Sequence, residues 1–171
     1  MKKIGLWLVL LGLLHGGSWA QNADEIISVR ILSSVEMLQA GLTQDIALVL
    51  TIKEPYHINS GSPLEDFLVP TSITFHEVPG VRYGISEFPQ AETRVLSFSD
   101  LPLEIYEGTL TVYNTLNLDP SFSGSELRVS GSIQYQACDD NACLPPGELE
   151  FQQVLLVAGA VSYTHLRAHE T

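Results

Sequence analysis

Apolar residues fall on every second position through much of this chain, and that period decides the fold class before any motif is considered. Ile46, Leu48, Leu50 and Ile52 point to one side of an extended segment, with Ala47, Val49 and Thr51 on the other. That is the geometry of a strand; a helix would repeat its faces about every 3.6 residues. Similar runs span Ile27 to Val35, Phe67 to Val78, Val81 to Phe88, Arg94 to Phe98, Leu110 to Leu116, Leu127 to Ala137 and Leu149 to Val157, parted by Pro, Gly, Ser and Asp. The best helical stretch, Val35 to Ala40, is one turn at most. Roughly seven to nine short strands between turn signals predict an all-β chain, an immunoglobulin-like antiparallel β-sandwich, because a parallel sheet would need crossover helices. Pro55, Pro70 and Pro102 sit beside or within apolar runs, where a missing N–H is tolerated only at an edge, a bulge or a strand end.

With 171 residues, the chain supports one domain at about 100 to 200 residues each. Twenty acidic residues against eight basic ones give a net charge of −12. No Lys/Arg stripe exists to neutralise phosphates, so nucleic acid is excluded as a partner class, and anionic membrane surfaces are disfavoured.

Both ends are expected to lie outside the domain. Lys2 and Lys3 precede the apolar run Ile4 to Leu14, and Ser18-Trp19-Ala20 offers small residues for cleavage. This is the pattern of a signal peptide over residues 1–20, too short in its apolar part for the roughly 20 residues a spanning helix needs. At the other end, the string VSYTHLRAHET (residues 161–171) resembles one reading frame of a sequencing adaptor, which would make the tail artefactual and the natural gene longer. The alternative is a polar tail in which His165 and His169, at i and i+4, form a metal-binding face that still lacks a third ligand. Residues 21–160 remain as the domain, and export permits a disulfide.

Only two cysteines occur, Cys138 and Cys143. The turn formers Asp139, Asp140 and Asn141, with Ala142, separate them, so the chain can reverse and bring the sulfurs together. A bridge closing so small a loop is worth about 2 kcal/mol in chain entropy, little for a domain of this size. On the residues alone, a structural bridge and a redox-active one both stand. A zinc site would need two more convergent ligands, which the positions of His57 and His76 do not announce. There is no Gly-rich phosphate loop, and no cofactor is called for.

The segment Tyr135-Gln136-Ala137-Cys138, a short spacer, Cys143 and then Pro145-Pro146 resembles the active-site motif of the amino-terminal periplasmic domain of the thiol:disulfide interchange protein DsbD family. Tyr56-His57-Ile58-Asn59, Phe67-Leu68-Val69-Pro70 and Ile105-Tyr106-Glu107-Gly108 resemble further blocks in the same order, so the likeness runs from Ile26 to Val157. Four residues separate the cysteines here, where the best-known members have five.

The resemblance implies an immunoglobulin-like domain that takes electrons from membrane-embedded and thioredoxin-like domains of one parent protein and passes them to periplasmic thioredoxin-fold disulfide proteins. By position, Cys143 exchanges with the partner and Cys138 resolves the mixed disulfide. Tyr56, His57 and Asn59 match the strand that walls the site. The nearest match to the family's aromatic cap residue is Phe98, which its alternating run equally marks as core. His57 could assist proton transfer, as the side-chain type that titrates near neutrality, or be plain surface. Asp139 and Asp140 either raise the Cys138 pKa by placing negative charge beside it or simply make a solvated turn. Two other functions compete: a non-catalytic immunoglobulin-like binding module with a structural bridge, and a carboxylate enzyme, for which the acids lack a convincing pair.

Overall fold

The computed structural model describes residues 26–158 apart from 66, 98 and 100. The expected signal peptide, the adaptor-like tail and Phe98 therefore lie outside the described residues. Within them the chain is all-β: β1 (Ile27–Ser33), β2 (Thr43–Ile52), β3 (His57–Asn59), β4 (Ser72–Phe75), β5 (Val81–Tyr83), β6 (Glu92–Arg94), β7 (Leu103–Glu107), β8 (Thr109–Leu118), β9 (Glu126–Tyr135), β10 (Ala137–Cys138) and β11 (Gly147–Leu156). One sheet has the order β1-β2-β8-β5, a second β11-β9-β4 and a third β10-β3-β7-β6, with every strand pair antiparallel.

The first two sheets make the body of an immunoglobulin-like sandwich, and the alternation in the sequence is what faces them together. Ile46, Leu48, Leu50 and Ile52 of β2 and Leu110, Val112, Leu116 and Leu118 of β8 join Leu127, Val129, Ile133 and Tyr135 of β9 in one buried cluster. Full burial of each large aliphatic side chain contributes about 1.5–3 kcal/mol. Gly131 sits in mid-β9 because a Cβ there would lie 2.1 Å from the Thr74 carbonyl oxygen and 2.8 Å from the Phe151 ring. Gly108, with φ of +63°, carries the chain directly from β7 in the third sheet to β8 in the first. Its carbonyl accepts the Ile52 N–H at 2.6 Å.

Several elements differ from the periodic reading. Of Phe67 to Val78 only Ser72–Phe75 is strand. Pro70 has no N–H to give, and side chains serve the backbone of Val69: Asn59 Nδ2 donates to its carbonyl at 3.0 Å and Gln136 Oε1 accepts its N–H at 3.4 Å. Val81 to Phe88 is continuous strand only over Val81–Tyr83; it then bows out around the buried Asn114, whose Nδ2 donates to the Gly84 carbonyl and the Ser86 hydroxyl, and rejoins β8 at a single bridge between Glu87 and Tyr113. Arg94 to Phe98 is replaced by Glu92–Arg94, and Leu96 turns into a small separate core. Val35 to Ala40 holds no helical turn: Leu38 pairs with the end of β11 through its N–H to Leu156 and its carbonyl from Ala158. β3 and β7 carry no period that marks them as strands. All three residues of β3 are buried, as are Leu103, Ile105 and Tyr106 of β7, so no clean polar face marks the period.

Candidate functional site

After Tyr135 the chain leaves its pairing with β11 and does not rejoin it until Gly147. The excursion between them is the cysteine hairpin. β10 pairs with β3, and Cys138 and Cys143 face each other as a bridge pair. Asp139 and Ala142 close the turn through the Asp139 N–H and the Ala142 carbonyl at 2.9 Å, and the Leu144 N–H reaches the Ala137 carbonyl at 2.8 Å. The Asp139 carboxylate accepts the N–H groups of Asn141 at 2.7 Å and Ala142 at 2.9 Å. Those donors hold its pKa below the usual carboxylate value. Asp139 is thus a turn-former by geometry, while Asp140 is exposed at the tip.

The cysteines are disulfide-bonded with Cα atoms 3.9 Å apart. They are unequal. Cys138 is 0% exposed, whereas Cys143 is partly exposed and lines a cleft of about 260 Å³ with Phe67, Leu68, Ser99, Leu103, Gln136 and Ala142. Beneath this cleft lies the small core of Leu68, Leu96, Leu103 and Ile105. The Ser97 hydroxyl donates to the Asp140 carbonyl, tying the segment before β7 to the hairpin tip. The aromatic cap expected at Phe98 falls outside the described residues.

Gln136 fastens the base of the hairpin. Its Nε2 donates to the Leu144 carbonyl at 3.1 Å, and its Oε1 accepts from Asn59 Nδ2 at 3.3 Å as well as from Val69. Asn59 is fully buried, and its carbonyl accepts the Thr71 hydroxyl at 2.6 Å. Gln136 was visible in the sequence as part of the cysteine motif, but nothing in its spacing announced that one amide would join three segments.

His57 is the direct register partner of Cys138 on one side and of Glu107 on the other. Side chains at such positions project from the same face about 4.5–5.5 Å apart at Cβ. His57 is only 3% exposed, which overturns the plain-surface reading. Burial lowers its pKa below 6.5; Arg94 adds to that effect, while Asp140, Glu107 and Asp139 oppose it. Glu107 bonds the Arg94 guanidinium. Tyr56 is partly buried and packs against the main core, so of the expected wall residues His57 and Asn59 adjoin the hairpin through register and hydrogen bonding.

Among the described residues no group of three or more His, Cys, Asp or Glu side chains could hold a metal ion. A wider groove of about 790 Å³ between β4 and β5, with Phe75 stacked on Tyr83, contains neither cysteine nor histidine.

The family model for the N-terminal part of the thiol:disulfide interchange protein DsbD matches residues 24–155. No curated protein sequence matches the chain. Two solved structures resemble it weakly. One is AvmM, described as catalysing macrocyclization in alchivemycin A biosynthesis, with 9% identity over 80% of this chain and 92% of that one and a TM-score of 0.37. The other is a family 123 glycoside hydrolase from Clostridium perfringens, with 9% identity over 78% of this chain and 28% of that one and a TM-score of 0.29. At these scores neither likeness bears on activity. The family match is different in kind, since it runs from before β1 almost to the end of β11 and takes in both cysteines with every strand that holds them: the chain belongs to the family of the N-terminal domain of the thiol:disulfide interchange protein DsbD.

Proposed function

We propose that this chain is a periplasmic protein-disulfide reductase domain that relays electrons through Cys138 and Cys143. Thiol-disulfide interchange and a periplasmic setting come with the family. The observation that carries the finer reading is the inequality of the two sulfurs, one buried against β3 and the other open to an apolar cleft. Only an accessible sulfur can be attacked by, or attack, a second protein.

In the forward reaction the reduced Cys143 thiolate attacks a partner disulfide, forming a mixed disulfide and expelling one partner thiolate. Cys138 then attacks Cys143, expelling the second. Two electrons and two protons pass to the partner, and the Cys138–Cys143 bridge is left behind. The domain is recharged by the reverse exchange with a dithiol donor, for which the proposed sources are the membrane-embedded and thioredoxin-like domains of a parent protein. The recipients are oxidised periplasmic thioredoxin-fold proteins, which present a cysteine pair of the same chemistry. Residues 1–20 would direct export and be removed after Ala20. No cofactor is called for, because the two electrons are carried by the thiol pair itself and the sulfur–sulfur bond moves the opposite way.

Two carboxylates beside Cys138, together with its burial, disfavour its thiolate. The reduced pair would then resist stray oxidation until a docked partner supplies the electrophilic sulfur. Trapping tests the reading: a Cys138→Ser chain should accumulate mixed disulfides through Cys143 with exported thioredoxin-fold proteins, and a Cys143→Ser chain should not. Redox titration tests it independently. A midpoint well below the roughly −300 mV of inert structural bridges would refute the relay and leave a binding module with a permanent crosslink.

A further inference from the structure

Cys138 has a difficulty that Cys143 does not share. It must become a thiolate to close the bridge, yet it is fully buried, with Asp139 next in the chain and Asp140 beyond. Its proton needs a nearby acceptor inside the protein.

We infer that His57 Nε2 is that acceptor, taking the Cys138 proton as Cys138 attacks Cys143 and returning it to the departing partner thiolate. The inference rests on the relay proposed above and adds a residue to it. Three observations converge. His57 is paired directly with Cys138 across the β3–β10 ladder, so the imidazole and the sulfur share one face. Its Nε2 is buried with no hydrogen-bond partner among the described residues, a costly arrangement that asks for a reason. The oxidised bridge has no proton to offer, whereas reduction places an S–H donor on the neighbouring strand.

The surroundings suit a base. Facing His57 are Cys138 with Asp139 and Asp140 from the hairpin, Glu107 from β7, and Arg94 from β6. Burial and Arg94 favour the neutral imidazole that can accept a proton. The three carboxylates favour the imidazolium once it forms, and the Arg94–Glu107 pair balances one of them. A base that is neutral at rest and supported when charged can move a proton in both directions of the exchange.

The balance closes. Cys138 S–H transfers its proton to Nε2. The Cys138 thiolate forms the bond to Cys143 Sγ while the Cys143–partner S–S bond breaks. The partner thiolate leaves with the electron pair and takes the proton from the imidazolium.

Oxidised glutathione mixed with the reduced full chain resolves the steps, because capture of one glutathione by Cys143 precedes its release as Cys138 closes the bridge. In the wild-type chain the release rate should level off above pH 6.5, where the imidazole is neutral. In a His57→Phe chain it should fall at least tenfold at pH 7 and rise about tenfold per pH unit towards the thiol pKa, normally about 8.5. The loss should concentrate in release rather than capture, and added imidazole should restore release to a His57→Ala chain. Release rates and pH profiles that coincide in wild type and His57→Phe would overturn the assignment. A wild-type chain that captures no glutathione would overturn the relay itself, and this step with it. Should the variants fail to fold, nitrogen NMR of the wild type decides: reduction of the bridge should shift the His57 Nε2 resonance as it gains the thiol donor, and an unchanged resonance refutes the contact.

Discussion

The body of the sandwich and its cysteine end are built on different principles. In the body, β2, β8, β9 and β11 are each ten residues long and bury alternate side chains in one continuous cluster. At the cysteine end, β10, β3, β7 and β6 are two to five residues long; they lend only Ile58, Tyr106 and Ala137 to the main cluster and otherwise share a small core of four residues. There, side-chain amides of Asn59 and Gln136 do what ladder bonds do elsewhere. Apolar area stabilises the first region without regard to small displacements. The second depends on directional bonds that hold two sulfurs, an imidazole and a cleft in one arrangement, which suits a site whose covalent bond must break and re-form.

If this contrast is right, truncation in the body should cost the most stability and the least chemistry. Leu48→Ala, at a position 0% exposed, should lower unfolding free energy by about 2–5 kcal/mol in urea titration, with glutathione exchange of the folded fraction little changed. A comparable loss of exchange would blur the two regions into one.

The cysteine end should behave inversely. Replacing both cysteines by serine should cost about 2 kcal/mol of stability and abolish exchange altogether. Gln136→Ala leaves Asn59, Val69 and Leu144 groups short of partners and should cost about 1–3 kcal/mol. Faster hydrogen exchange at the Val69 amide would check that the loss is local to the hairpin base.

His57 gives the comparison a pH axis. Its folded pKa is depressed, mainly by burial, so between that value and 6.5 the unfolded chain holds a proton the folded chain does not. Stability should therefore be intact above pH 6.5 and decline as pH falls through this window. A His57→Phe chain should lose that slope in urea midpoints measured across the range. The smallest effect is expected at the exposed Arg94–Glu107 pair. Its removal by Arg94→Ala should change stability by only about 0–1 kcal/mol while raising the His57 pKa, which proton NMR titration would register.

The two regions were also unequally legible. Strands β1, β2, β8, β9 and β11 could be read because one face is buried and the other wet, leaving a period of two in the residues themselves. β3 and β7 are buried more completely and carry no such mark. The edge strands β4 and β5 are shorter than the period suggests and β6 lies at Glu92–Arg94 instead of Arg94 to Phe98, because Pro70, the bow around Asn114 and the turn at Leu96 interrupt pairing for reasons that reside in other segments. At the site, Cys138, Cys143 and the turn between them were evident from spacing. His57 and Asn59 emerge as site residues only through a family resemblance, and nothing in the sequence marks Gln136 as a three-way tie.

Sequence alone therefore determined that the chain is a β-sandwich and that its two sulfurs can meet, because alternation and turn chemistry are properties of neighbouring residues. Tertiary structure decided which sulfur is buried and which is open, and that a histidine some eighty positions earlier stands beside the buried one. Register between strands so far apart is fixed only when the whole body packs, and no local pattern encodes it.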